Sequence, residues 1–341
     1  MLYKLDLTRM IAGARDTLLL ETKPKSIPIE LLVFLLVSMI STIPQSIIST
    51  ICTMIVMFTD PKYYELIASG STDMDAINEY VFEMAANLPS WYFMAILLSS
   101  GFMIVAALFY CKRFEHRKAY TLGFGKKGFV GEYLMGALIG LVMITLPILV
   151  CAATGSVTLA LAESIDPLMI VLFFVAFIFQ GMGEEALFRG YLMTTLSRRT
   201  GLWGAVLINS LMFSLFHIGN SSFSFIAFIN IFLFGVFASV FMLKRGSIWA
   251  VGAIHSVWNF VQGNIFGFNV SGNPKFDTIW TATGNNFGAI LSGGDFGPEG
   301  GLGVTVVLLV AILIALIIPT KKSEFVEEKK DEDENNSTEF V

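Results

Sequence analysis

Long apolar runs separated by short polar segments dominate the chain. Eight runs come close to the roughly 17–25 residues that a helix needs to cross about 30 Å of hydrocarbon. They lie near 28–57, 91–111, 131–152, 167–196, 203–218, 223–243, 247–263 and 302–319. The fourth run has a polar second half, and the fifth is short. The pattern predicts an all-α fold, a polytopic transmembrane helix bundle of about eight spans.

Composition agrees with this prediction. Hydrophobic residues make up 55% of the 341 residues and charged residues only 14%, with a mean hydropathy of +0.71. These values are typical of an integral membrane protein, for which the lipid bilayer is the first partner. No basic patch of the kind that binds nucleic acid is present, so no nucleic-acid partner is expected. The cysteines lie in or beside apolar runs without metal-ligand spacing, which indicates buried thiols.

The distribution of Lys and Arg predicts the orientation of the chain. These residues are concentrated in 1–26, 112–127, 197–202, 244–246 and 320–330. The intervening loops, 58–90, 153–166, 219–222 and 264–301, contain only Lys62 and Lys275. By the positive-inside rule the first set is cytoplasmic, with both termini on that side. The Gly/Asn-rich loop 264–301 predicts tight turns, a cap or a re-entrant segment.

The two ends of the chain have different patterns. Residues 1–26 are amphipathic, which fits either an interfacial helix on the membrane surface or a solvated cytoplasmic arm. Residues 321–341 are dense in charge and lack periodicity. This pattern predicts a disordered tail.

Two adjacent carboxylates, Glu184 and Glu185, follow the apolar run that ends near Phe179. Ionisable groups at such depth are costly, about 2.5–3.5 kcal/mol each, and indicate a functional site. On a helix Glu185 and Arg189 are four positions apart and share a face, so they can pair. Glu184 points about 100° away. A purely structural ion pair would give the same pattern, so the pair alone does not establish chemistry.

Two of the three histidines lie inside later apolar runs, which strengthens the case for a site. At about 1.5 Å per residue, Glu184 and Glu185 lie about 20 Å from the cytoplasmic face and His217 about 22 Å. His255 lies about 13 Å deep and Asn259 about 19 Å. The polar residues of three helices therefore fall in one layer.

A carboxylate, two imidazoles and an amide form a set that can bind and activate water. Glu can take a proton from an attacking water, and His can orient the water or bind a metal. His255 and Asn259 are four apart and share a helix face. No Ser or Cys nucleophile with a neighbouring base, no P-loop and no dinucleotide fingerprint occurs in the sequence.

Three motifs occur in order on separate spans, namely Glu184-Glu185-x-x-x-Arg189, Phe213-x-x-x-His217 and His255-x-x-x-Asn259. This set resembles the CPBP family, the CAAX proteases and bacteriocin-processing (Abi) intramembrane proteases. The resemblance covers roughly 90–320. It divides the chain into an N-terminal arm, first span and acidic loop (1–89), a protease-like domain (90–320) and the charged tail (321–341). The loop ending at Gly301 is similar to a bacterial branch, which implies a bacterial plasma membrane.

The resemblance implies an endopeptidase with its site inside the membrane, reached from the cytoplasmic side. It implies catalytic roles for Glu184 as general base, for His217 beside it, and for His255 and Asn259 at the oxyanion. Phe213, Glu185 and Arg189 would support the site. Glu184, His217 and His255 could also hold zinc with an open position, or activate water without a metal. The substrate would be a membrane-associated peptide or protein.

Two other functions remain open at this stage. The protein could be a non-proteolytic bacteriocin immunity or sequestering protein. It could also be a transporter in which Glu and His relay protons. The complete motif set favours the protease, and the sequence shows no inverted halves typical of transporters.

Overall fold

The computed structural model describes residues 25–70, 73–274, 276–285 and 288–320. The predictions for the amphipathic segment 1–26, apart from its last two residues, and for the tail 321–341 lie outside the described residues.

The first half of the chain is helical. Helix α1 (Ile27–Thr59) is followed by the short helices α2 (Pro61–Ala68) and α3 (Met74–Ala86). Helices α4 (Ser90–Ser99) and α5 (Phe102–Phe114) together form the second apolar run, and α6 (Phe129–Ala153) forms the third. Strand β1 (Val157–Leu161) follows α6.

The second half contains helices α7 (Pro167–Glu185), α8 (Thr194–Leu215), α9 (Phe225–Arg245) and α10 (Ile248–Phe260). A π-helix (Ala186–Met193) joins α7 to α8, and a π-helical turn (Val261–Ile265) continues α10. Strand β2 (Trp280–Gly284), the short helix α11 (Ala289–Ser292) and two 3₁₀ turns (Gly294–Phe296 and Pro298–Gly300) lead to α12 (Leu302–Ile317).

The predicted all-α membrane bundle is confirmed, since each of the eight predicted runs is helical over most of its length. Within the described residues, five helical stretches are long and apolar enough to cross a membrane: Ile27–Thr59, Ser90–Phe114, Phe129–Ala153, Pro167–Leu215 and Phe225–Arg245. The fourth stretch contains two predicted runs. Gly201, whose backbone angles are not helical (φ 70°, ψ 176°), lies between them. Strands β1 and β2, which pair antiparallel from Val157↔Gly284 to Leu161↔Trp280, were not predicted.

Local sequence explains several helix ends. The Asp166 side chain accepts hydrogen bonds from the backbone N–H groups of Leu168 and Met169 at 2.9 and 3.1 Å, and Pro167 fills the first helical position of α7. Both features favour a helix start. Helix α9 ends with Lys244 and Arg245 in its last turn and left-handed Gly246 beyond it, which is a common helix terminus.

Small residues bring the motif-bearing helices into close contact. A methyl group added at Gly136 or Gly140 of α6 would collide with the backbone of Ala250 or Ile254 in α10, and one at Gly181 would collide with Ser256. Small residues four apart allow helix backbones to approach closely in membranes. Helix α10 is therefore held between α6 and α7, and this contact fixes the distance between His255 and the acidic pair.

The alternating helices give the bundle two ends. The basic end carries the segments 115–128, 198–202 and 245–247. The loop end carries 154–166, 216–224 and the described parts of 60–89 and 266–301. At the basic end, Arg245 donates to the Glu132 carboxylate at 2.6 and 3.1 Å, and Trp249 Nε1 donates to the Gly125 carbonyl at 2.8 Å. These contacts join α6 and the segment before it to α9 and α10.

Candidate active site

The acidic pair lies where α7 changes into the π-helix. Arg189 Nη1 donates to Glu185 Oε1 at 3.0 Å, and both side chains are fully buried. The ion pair predicted from the spacing is therefore present. The π-helix begins directly after Glu185, and such wider turns occur frequently at functional sites.

His255 is bound to the second acid of the pair. Its Nδ1 lies 2.9 Å from Glu185 Oε1, whereas its Nε2 lies 3.8 Å from Glu184 Oε2. A carboxylate accepts hydrogen bonds, so Nδ1 is the donor and the neutral ring keeps its lone pair on Nε2. Glu185 therefore does more than shape the helix, because it also orients His255. Sequence analysis missed this contact, which joins residues 70 positions apart.

His217 lies in the turn that follows α8. Its Nδ1 donates to the Phe213 carbonyl at 2.8 Å, and its ring centroid is 4.8 Å from that of Phe213. The lone pair of the neutral ring is therefore on Nε2 here as well. The Phe213 ring also packs 4.3 Å from the Arg189 guanidinium, a favourable cation–π arrangement. Phe213 thus separates the buried ion pair from His217.

Gln180 connects two of the predicted residues. Asn259 Nδ2 donates to Gln180 Oε1 at 2.9 Å, and Gln180 Nε2 donates to Glu184 Oε1 at 2.6 Å. Gln180 was not predicted as a site residue. Its position one helical turn before Glu184 is a signal that the sequence contains, since residues four apart share a helix face.

The four predicted catalytic residues, Glu184, His217, His255 and Asn259, all line one cavity of about 480 Å³. Glu184 Oε2 is buried in the structure and has no hydrogen-bond partner. Its side chain keeps 17% of its surface exposed, in contrast to 0% for Glu185. An unpaired buried carboxylate oxygen is costly in stability. Of the two acids, Glu184 is the one that lines the cavity and can reach a bound water or substrate.

The first span contributes to the cavity wall, which the sequence did not indicate. Ser38, Ser41 and Thr42 of α1 line the cavity, as do Phe93 of α4 and Met103 of α5. The predicted domain boundary between residues 89 and 90 therefore separates residues that line the same cavity.

Glu299, in the Gly-rich loop, connects α10 and the π-helical turn after it to the loop segment that contains Ser271. Its carboxylate accepts hydrogen bonds from Trp258 Nε1 (3.2 Å), Gln262 Nε2 (3.3 Å), and Ser271 N and Oγ (both 2.7 Å). The loop thereby forms a cap on α10, as one of the sequence alternatives expected. A cavity of about 20 Å³ between Glu299 and the histidines has room for one water molecule.

The predicted zinc ligands do not form a ready-made metal site. In the described part of the chain, no group of three or more His, Cys, Asp or Glu side chains is arranged to hold a metal ion. Zinc sites in proteins use three or four such ligands at about 2.0–2.3 Å. Zinc binding by Glu184, His217 and His255 stays a prediction from the sequence.

Comparison with known proteins supports the motif assignment. Residues 166–261 match the family described as Type II CAAX prenyl endopeptidase Rce1-like. The matched segment contains all three motifs, and it confirms the resemblance to CAAX-type proteases. No curated protein and no solved structure matches the chain. The match and the apolar helices support an integral membrane peptidase of the CAAX-protease-like kind.

Proposed function

We propose that the protein hydrolyses a peptide bond of a membrane-associated peptide or protein with a water activated by Glu184. The observation that carries the proposal is the Glu184 carboxylate, which lines the cavity and has its Oε2 3.8 Å from His255 Nε2. In this mechanism Glu184 accepts a proton from the water as the hydroxide adds to the substrate carbonyl. It then returns the proton to the leaving amine.

The other polar residues have distinct roles in this proposal. His217 Nε2, a hydrogen-bond acceptor in the neutral ring, holds the second proton of the water and fixes its direction. The oxyanion is stabilised by Asn259, whose amide keeps one N–H beyond the bond to Gln180, and by His255 in its imidazolium form, whose Nε2–H donates to it. Glu185 lies behind His255 and offsets the positive charge of this imidazolium, as carboxylates do in hydrolytic triads.

The supporting residues keep the reacting groups in place. Gln180 fixes Glu184 relative to Asn259, and Arg189 pairs with Glu185 and keeps it directed at His255. Orientation of this kind contributes to catalysis because it replaces a search through many conformations by one reactive geometry. In the membrane, both termini would be cytoplasmic and the basic end would face the cytoplasm.

Comparative peptide analysis tests the proposal. Membranes from cells that produce the wild-type chain should contain cleavage products that are absent when Glu184→Gln replaces it. Glu163→Gln, a change of the same kind in the exposed loop before α7, is the matched control and should retain all products. If Glu184→Gln retains every product and the full cellular effect, proteolysis is refuted and a sequestering or immunity role replaces it.

A further inference from the structure

The cavity extends from Glu184 toward the loop end of the bundle. Asn220, Ser271, Asn273 and Phe276, all from loop-end segments, line it. In the opposite direction, Phe188 is the last residue of α7 and the π-helix that lines the cavity. The cavity therefore extends further from Glu184 toward the loop end than toward the basic end.

The path from the basic end is closed. Every residue from 185 to 196 is buried. Beneath them, the buried Arg117 donates to Thr194 Oγ1 at 2.6 Å, to Thr195 Oγ1 at 3.0 Å and to the Gly190 carbonyl at 3.3 Å. A substrate from this side would have to break a buried charged network, and removing partners from such a network is strongly destabilising.

The cavity is open on two adjoining sides. At its lateral rim, between α1 and the end of α8, Leu35, Met39 and Phe216 are 38, 66 and 44% exposed. At its loop-end rim, Asn273 and Pro274 are exposed. One side of the opening is therefore apolar and faces lipid. The other side faces the loop-end surface, and the rim residues described there, Asn273 and Pro274, are uncharged.

The lining also restricts the chemistry of the substrate. Aromatic side chains, including Phe93, Phe173, Phe177 and Phe276, form much of the wall. Among the described lining residues none is Lys or Arg, and the ionisable ones are Glu184 and the two histidines. A free carboxylate close to the scissile bond would meet Glu184 with no Lys or Arg among the described lining residues to balance it, which is unfavourable in a low-dielectric site.

On the basis of the proposed function, we infer the class of the substrate and the route by which it reaches Glu184. The substrate is an apolar peptide segment, cut at an internal bond away from its C-terminal carboxylate. It moves from the leaflet at the loop end through the gap between α1 and the end of α8. Given the loop charges, this leaflet faces away from the cytoplasm. The route is opposite to the cytoplasmic approach that the family resemblance implied.

A matched pair of substitutions on α1 tests the route. Thr42 is exposed and lines the cavity, whereas Thr50 is equally exposed two turns further along and does not line it. Each hydroxyl bonds only to its own helix, Thr42 to the Met39 carbonyl and Thr50 to that of Ser46. Thr42→Trp should remove the Glu184-dependent cleavage products, and Thr50→Trp should retain them. Equal product levels in the two variants would overturn the route.

A chemical test on the folded protein determines the side of access. Cysteine is introduced at exposed Asn273 or, as the basic-end control, at exposed Lys126; the three native cysteines are buried. A small membrane-impermeant methanethiosulfonate cation applied outside intact cells should modify Asn273→Cys and block cleavage, with recovery after reduction. Lys126→Cys should react only after permeabilisation.

The outcomes separate this inference from the proposed function. If Asn273→Cys reacts only after permeabilisation, or reacts without effect on cleavage, the route is wrong while Glu184-dependent cleavage stands. If Glu184→Gln leaves all products intact, the proposed function fails and the substrate assignment fails with it. In that case the labelling pattern still shows which side the cavity faces.

Discussion

Glu185 and His255 lie on different helices, and Glu185 Oε1 is 2.9 Å from His255 Nδ1. The same oxygen accepts the hydrogen bond from Arg189. One buried carboxylate therefore holds both an imidazole and a guanidinium, whereas the adjacent Glu184 lines the cavity and keeps 17% of its side-chain surface exposed. Two neighbouring acids thus have different surroundings, and this difference supports different roles for them.

The first prediction concerns the catalytic unit. Glu184→Gln, His217→Ala and His255→Ala should each reduce cleavage to near background while the protein remains in the membrane. The double variant Glu184→Gln/His217→Ala should be scarcely slower than either single variant, because residues that act on one water as a unit are strongly non-additive. Quantitative measurement of one Glu184-dependent product tests this. Independent, multiplicative losses would contradict a single unit.

Arg189→Ala should lower the amount of folded protein. The change leaves Glu185 fully buried without its cation, which costs about 3–5 kcal/mol for a broken buried pair. Membrane abundance and thermal unfolding in detergent measure the effect. Arg113→Ala, at an exposed position on α5, should leave both unchanged. If Arg189→Ala accumulates normally and only cleavage is lost, Arg189 takes part in the chemistry.

Gln180→Ala should slow cleavage without unfolding the protein. The change removes one hydrogen bond to Glu184 and one to Asn259. Together these contribute about 2–4 kcal/mol at most, or about 30-fold to 900-fold in rate. The expected loss is in kcat, since Gln180 orients reacting groups. A loss confined to KM would show that Gln180 contacts the substrate instead.

Glu299→Ala should destabilise the cap over α10. The Trp258, Gln262 and Ser271 donors would lose their shared acceptor, and each buried unsatisfied donor costs about 1–3 kcal/mol. The unfolding temperature of the purified protein should fall clearly. Asp295→Ala, an exposed acid in the same loop, is the control and should unfold like the wild type. Equal unfolding temperatures for both variants would refute the role of Glu299 in the cap.

Treatment of the purified protein with a strong metal chelator should leave the cleavage rate unchanged. The reason is that the proposed mechanism uses protein groups alone. Cleavage of a Glu184-dependent peptide before and after chelation measures the effect. Loss of activity that zinc restores would support the Glu184, His217 and His255 ligand set.

The sequence by itself determined the features that depend on local spacing. Run length determined the membrane helices, since hydrocarbon requires a long apolar stretch with its backbone bonded internally. Four-residue spacing determined the Glu185–Arg189 pair, because such residues share a helix face. Similar depth on three helices placed Glu184, His217, His255 and Asn259 in one layer, and all four line the same cavity.

Only the tertiary structure decided which groups meet across helices. The His255–Glu185 bond, the Glu299 cap and the contribution of α1 to the cavity join segments far apart in the chain. The rotation of each helix about its axis sets these contacts, and close packing at Gly136, Gly140 and Gly181 fixes that rotation. Hydropathy gives the depth of a residue but not the direction of its side chain. The direction in which the cavity opens therefore depended on how the helices pack.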